Sequence, residues 1–131
     1  MIQSPSNYTI IKDKAIVKSI HGEDANPSDL NNFELNEIEK ILEKAVGYDY
    51  TKDLNKQGLF KVNLNEYGRQ YIPSTNRKGE KIVWINLFCD DIKPIPEDRL
   101  IIVMDGGKCY FRITVNLNKL TYFNLAFNGF A

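Results

Sequence analysis

KIVWINLFC, Lys81 to Cys89, is the longest run with strand chemistry in the chain and contains its single tryptophan. Side chains of a strand alternate between faces. Val83, Ile85, Leu87 and Cys89 are all apolar, whereas Ile82, Trp84, Asn86 and Phe88 mix aromatic, apolar and polar groups. One face therefore reads as core and the other as amphipathic, which predicts a central strand with material on both sides.

Working outward, the same parity recurs. Cys109, Phe111, Ile113, Val115 and Leu117 alternate with Tyr110, Arg112, Thr114 and Asn116, and Phe123, Leu125 and Phe127 alternate with Tyr122, Asn124 and Ala126. A slip of one residue would bury the polar set, so the register is well specified. Strands are expected at Tyr67 to Pro73, Lys81 to Cys89, Arg99 to Met104, Cys109 to Leu117 and Thr121 to Phe127. TNRKGE, Thr75 to Glu80, and Asn118-Lys119 supply turns, and Asp105-Gly106 carries the signal of a tight hairpin. Asp90 to Asp98, with two prolines and four acids, reads as a loop.

Upstream of the meander, Leu35, Ile38, Ile41, Leu42 and Ala45 recur at the spacing of one helical face. Asn31 and Glu34 form a capping-box pattern at its start, and Gly47 is expected to end the helix in the left-handed conformation. YTIIKDKAIVKSI, Tyr8 to Ile20, is rich in β-branched residues and reads as one strand or as a hairpin turning at Lys12 to Lys14. His21 to Asn32 has loop composition, and a short strand is expected at Leu59 to Leu64. The fold class that follows is α+β: an N-terminal strand or hairpin, one amphipathic helix, then an antiparallel meander of about five strands wrapped on that helix. Its order resembles the cystatin-like and nuclear-transport-factor-like shapes.

The totals agree with one domain over 1–131. The chain has 43% hydrophobic and 26% charged residues, close to globular averages, and its length permits a core without staples. Seventeen basic and seventeen acidic residues cancel, which argues against the electropositive footprint of nucleic-acid binding. Lys12, Lys14 and Lys18 cluster in sequence but read as a solvated face. No stretch reaches the ~20 apolar residues of a membrane span, and MIQSPSNYTI lacks a secretion signal. The chain as given reads as cytoplasmic, with export followed by signal removal as the alternative. Asn7-Tyr8-Thr9 matches the glycosylation sequon, a pattern short enough to arise by chance.

RQYIP (Arg69 to Pro73), VWINLFC (Val83 to Cys89), DGGKCYF (Asp105 to Phe111) and NGFA (Asn128 to Ala131) together resemble a group of small proteins found in Bacteroidota. The resemblance covers about half the chain, Tyr67 to Ala131. It implies the α+β fold and assigns no activity and no catalytic residue. Members of that group often carry a lipoprotein-type export signal, which this chain does not show.

Candidates for chemistry are few. His21 is the only histidine, and beside Glu23 and Asp24 it could be a general base or a metal ligand; its plain reading is a solvated loop residue. Cys89 and Cys109 are in no CxxC pair. With a strand between theirs they would end up at opposite ends of the sheet, ~20 Å apart, so two free, core-facing thiols are expected. Asp90, Asp91, Glu97 and Asp98 fit no known calcium loop, and Gly106-Gly107 precedes no helix that could hold an anion. The Gln-x-Val-x-Gly hairpin of cysteine-protease inhibitors is absent. No cofactor, no metal and no catalytic residue are expected.

What remains is the mixed face of the sheet. It is expected to display Trp84, Asn86, Phe88, Tyr110, Arg112, Thr114, Tyr122 and Asn124, joined by Arg69 and Tyr71 if their strand shares the parity. Trp, Tyr and Arg dominate interface energetics, so the candidate contact residues are Trp84, Tyr110, Arg112, Tyr122, Tyr71 and Asn86. The plain reading is a set of ordinary cross-strand pairs. The functional expectation is a non-enzymatic interaction module, of immunity or inhibitor type, that meets another protein or a second copy of itself. The alternative is a small-ligand or enzymatic pocket between sheet and helix.

Overall fold

The computed structural model describes residues 7–49, 51–53 and 61–129. Over these the chain is α+β. Strands β1 (Tyr8–Ile10), β2 (Asn26–Pro27), β3 (Gly68–Thr75), β4 (Lys81–Phe88), β5 (Tyr110–Asn116) and β6 (Thr121–Phe127) form one open sheet, with helices α1 (Lys14–His21) and α2 (Asn32–Val46). The order is β1-β3-β4-β5-β6, with β1 parallel to β3 and the later pairs antiparallel; the two-residue β2 also pairs with β3. No helix among the described residues is long and apolar enough to cross a membrane.

Helix α2 forms as its periodicity predicts. Asn31 accepts from the Glu34 amide and Glu34 returns a bond from the Asn31 amide, so two free N–H groups at the helix start are satisfied. Leu35, Ile38, Ile41, Leu42 and Val46 are buried against Tyr71, Val83, Ile85, Leu87, Phe111, Ile113 and Val115, which makes the principal core. Gly47 ends the helix by a different route from the expected one. Its φ is −63°, and a Cβ there would come within 2.5 Å of the Glu43 carbonyl oxygen. Glycine is required there for close approach and not for left-handed freedom.

The N-terminal segment is neither a long strand nor a hairpin. After β1 the chain turns into α1, where Asp13 caps the Ile16 amide and Gly22 closes the end with φ of 104°. Ile16, Val17 and Ile20 form the apolar stripe of this helix. With Ile11, Ala25, Ile72, Trp84 and Leu100 they make a second, smaller core on the sheet face opposite α2. Of the strand expected at Leu59 to Leu64, residues 59 and 60 lie outside the described residues. Val62 makes a single parallel bridge to Gly47, and Leu64 opens a 3-10 turn.

The largest departure lies between β4 and β5. Arg99 to Met104 is not a strand: β4 pairs directly with β5 over its whole length, from Ile82 opposite Asn116 to Phe88 opposite Tyr110. Residues 89–109 are instead a long irregular loop, folded back over the second face and entering β5 through a 3-10 turn at Gly107–Cys109, with left-handed Gly106 before it. The Asp105-Gly106 hairpin is thus absent. With the intervening strand gone, Cys89 and Cys109 sit side by side at the same end of the sheet. They form a disulfide, with Cα atoms 4.9 Å apart. The expected free thiols are corrected, and the reason is topological.

Buried side chains hold this loop in place of a strand ladder. The Gln70 amide nitrogen donates to the Pro96 and Arg99 carbonyls at 3.0 and 2.8 Å, and its oxygen accepts from the Ile101 amide at 2.9 Å. Asn86 donates to Gln70 and to the Ile101 carbonyl. Two side chains therefore satisfy backbone groups that would otherwise be buried without partners.

Candidate functional site

In an antiparallel sheet, residues directly opposite one another share a face. Ile72, Trp84, Thr114 and Phe123 therefore form a row across the second face, flanked by the rows Gln70, Asn86, Arg112, Ala126 and Ser74, Ile82, Asn116, Thr121. Helix α1 covers the Ile72 end and the 89–109 loop covers Gln70 and Asn86. Neither reaches β6. The uncovered remainder is a groove of about 980 Å³ between the C-terminal end of α1 and β6. Strands β4 and β5 contribute Ile82, Trp84, Arg112, Thr114 and Asn116 to its lining; Ile20, His21 and Asp24 line one side, and Phe123 to Ala126 the other. A smaller cavity of about 340 Å³ adjoins it under Leu100 to Met104 and shares Ile20, Trp84 and Arg112.

β6 explains why Phe123 lies here. Arg112 pairs with Ala126, but Thr114 pairs with Phe123, so β6 has one residue more than β5 between those pairs. Asn124, at φ 54°, sits at this irregularity. A bulge resets parity. Phe127 opposite Phe111 stays on the α2 side as expected, whereas Phe123 moves to the groove and Tyr122 to the α2 side, beside Glu37, Ile41 and Lys44. The expected faces of Tyr122 and Phe123 are thereby exchanged.

The remaining candidates fall into three places. Trp84 and Arg112 line both cavities, and Tyr110 and Asn86 line the smaller one. Tyr110 also donates to the Asp90 carboxylate, and Asn86 is committed to Gln70 and the loop. Tyr71 is not on this face: it stands opposite Ile85, fully buried under α2. Arg69 shares that face, where its guanidinium lies 2.9 and 3.1 Å from the two Glu39 carboxylate oxygens. Sequence reasoning missed Phe123, whose parity pointed the other way, and Ile20, because Tyr8 to Ile20 was read as a strand or a hairpin; Asp24, considered only beside His21, lines the groove paired to Arg77.

The groove's charges are mostly paired. Arg77 bonds Asp24 at 2.5 Å, and Glu80 is held by Asn76, Asn116 and Lys119. Arg112 donates to the Asn128 side chain and has no carboxylate partner among the described residues. His21 is the last residue of α1, not a loop residue, and its Nε2 lies 2.7 Å from the Ile72 carbonyl oxygen, to which Nε2–H donates. Burial pushes its pKa below the ordinary 6.5, and the Ile72 bond opposes this in part. A depressed histidine pKa stabilises the fold above about 6.5, and that contribution is lost as pH falls through the lower folded value. Since His21 is the only histidine, its imidazole signals in an NMR titration report directly. The expected midpoint lies below 6.5; a midpoint at or above that value would contradict the buried, neutral assignment.

Among the described residues, Cys89, Asp90 and Cys109 are the only group of three that gathers potential metal-ligating atoms, and its two sulfurs are joined to each other. Asp91, Glu97 and Asp98 are not gathered with them. No family model, no curated protein and no solved structure matches this chain.

Proposed function

We propose that this chain is a non-enzymatic protein-interaction module whose sheet-face groove receives a segment of another protein. One observation carries the reading. The open part of the face is a trough walled by an aromatic residue on each side of small Thr114, and not a flat wetted surface. Trp84 and Phe123 combine large area with few rotatable bonds, the property of interface anchors. Catalysis finds little support: the cysteines are joined to each other and lie outside the groove, and the one imidazole nitrogen with a defined bond is spent on a backbone carbonyl. The groove volume also lies within the range of small-molecule sites, so a small ligand is the second reading. Self-association along the open edge of β6 is a third. The Cys89–Cys109 disulfide supports residence in an oxidising compartment, in line with export rather than the cytoplasm.

The test is affinity capture from the source cells with the wild-type chain and a Trp84→Ala, Phe123→Ser double variant matched for melting temperature. A discrete protein retained by the first and weakened roughly tenfold or more in the second is the expected result. Equal retention by both would remove the groove from the reading. Retention of nothing, with a metabolite co-purifying on the wild type alone, would replace the protein partner by a small ligand.

A further inference from the structure

Resting on the groove reading, we infer that the segment it receives is an extended one that presents a carboxylate and, two residues away, an aromatic or large apolar side chain. The sheet sets out both subsites. Trp84 and Phe123 pair with Thr114 from opposite sides, so their backbones stand two strand spacings apart, ~10 Å. That leaves a slot over Thr114 for one flat side chain. Arg112 is two residues before Thr114 on the same strand and the same face, ~7 Å away. In an extended segment lying along β5, side chains i and i+2 project to one side at that same spacing. One enters the slot and the next meets Arg112.

Charge decides what the second one is. The groove carries Arg77, Lys78, Arg112, Asp24 and Glu80, three cations against two anions with His21 neutral. Both acids are engaged by neighbouring cations, while among the described residues Arg112 bonds only a neutral amide, at 3.0 Å. A guanidinium with free N–H donors beside an aromatic wall recognises a planar carboxylate with paired, charge-assisted bonds. An acidic group on the segment is therefore complementary, and a basic one is opposed by the net positive charge.

The single tryptophan lies in the groove, so its emission reports occupancy. Blocked pentapeptides Ala-Glu-Ala-Phe-Ala, Ala-Gln-Ala-Phe-Ala and Ala-Glu-Ala-Ala-Ala would be titrated against wild type and against Arg112→Gln, the latter checked for an unchanged melt. The first peptide is expected to bind about tenfold more tightly than the second. The gap should close in Arg112→Gln and shrink in added salt, and the third peptide should lose binding through the empty slot. If the glutamate and glutamine peptides bind wild type equally and still shift Trp84, the acidic inference falls and groove binding stands. If sodium acetate or inorganic phosphate displaces the first peptide completely at equal concentration, the site is a plain anion site and the segment is wrong. If none of the peptides shifts Trp84, the segment inference also falls, while the capture experiment still decides the groove.

Discussion

Alanine at Arg69 is expected to lower the free energy of unfolding by about 3 to 5 kcal/mol, which would make it among the most damaging single substitutions in the chain. Arg69 is only 3% exposed and Glu39 5%. The guanidinium also donates to the Tyr67 and Leu64 carbonyls, tying the entry of β3 to the turn before it. Removing it leaves a carboxylate in a nearly dry interior and two carbonyls without a donor. Chemical denaturation of the variant measures the loss directly. A loss below about 1 kcal/mol, the range of surface pairs, would mean that water reaches the site.

The same pair makes a second, opposite expectation. Breaking a buried pair is costly, whereas replacing it whole by apolar residues is often neutral or better. Arg69→Met with Glu39→Leu is therefore expected to recover most of the loss, since the Tyr71 hydroxyl and Arg69 Nε already lack hydrogen-bond partners among the described residues. Burial raises the Glu39 pKa above 4.5, with Glu43 adding to the effect and Arg69 opposing it. For a raised carboxyl pKa the stability contribution is present below the unfolded value and lost as pH rises through the folded one. Without Arg69 that folded value rises further, so the deficit of Arg69→Ala should be smaller near pH 4 than near pH 7. A deficit that did not change with pH would exclude Glu39 as its source.

How much of this was readable in the residues depends on how local the deciding force is. Helix α2 and the strands β3 to β6 declare themselves because their patterns are long and one face of each is buried under a single partner. α1 did not, since KAIVKSIH is β-branched and its propensity leans to strand. Asp13 and Gly22 were the cap signals that outweigh it, together with the Ile16, Val17, Ile20 stripe. RLIIVM, Arg99 to Met104, looks like a strand by composition but is a covering loop whose polar groups are met by Gln70 and Asn86, two side chains far away in sequence. The candidate face was legible at Trp84 and Arg112, where parity runs unbroken. It failed at Tyr71, since β3 turns its odd residues to α2, and at Tyr122, where a bulge that no motif announces exchanges it with Phe123.

The cysteines are the clearest case of a sequence signal that could have corrected the topology, and they carry the second large prediction. Replacing both Cys89 and Cys109 by serine opens a loop with a sequence separation of 20. Chain entropy puts the cost at about 3 kcal/mol. The loop is also gripped by Gln70, which is fully buried, so staple and grip act on the same segment and their losses should not add. In the disulfide-bonded chain Gln70→Ala strands the Pro96 and Arg99 carbonyls and the Ile101 amide under a loop that cannot leave. Once the staple is cut, the loop can swing out and hydrate those groups, so the same substitution should cost less by about 1 kcal/mol or more. The four chains of this cycle, unfolded by denaturant with proteolysis of residues 90–108 followed in parallel, decide the matter. Additive losses would mean that the loop stays folded without its staple, and that Gln70 and Asn86 alone replace the strand expected at Arg99 to Met104.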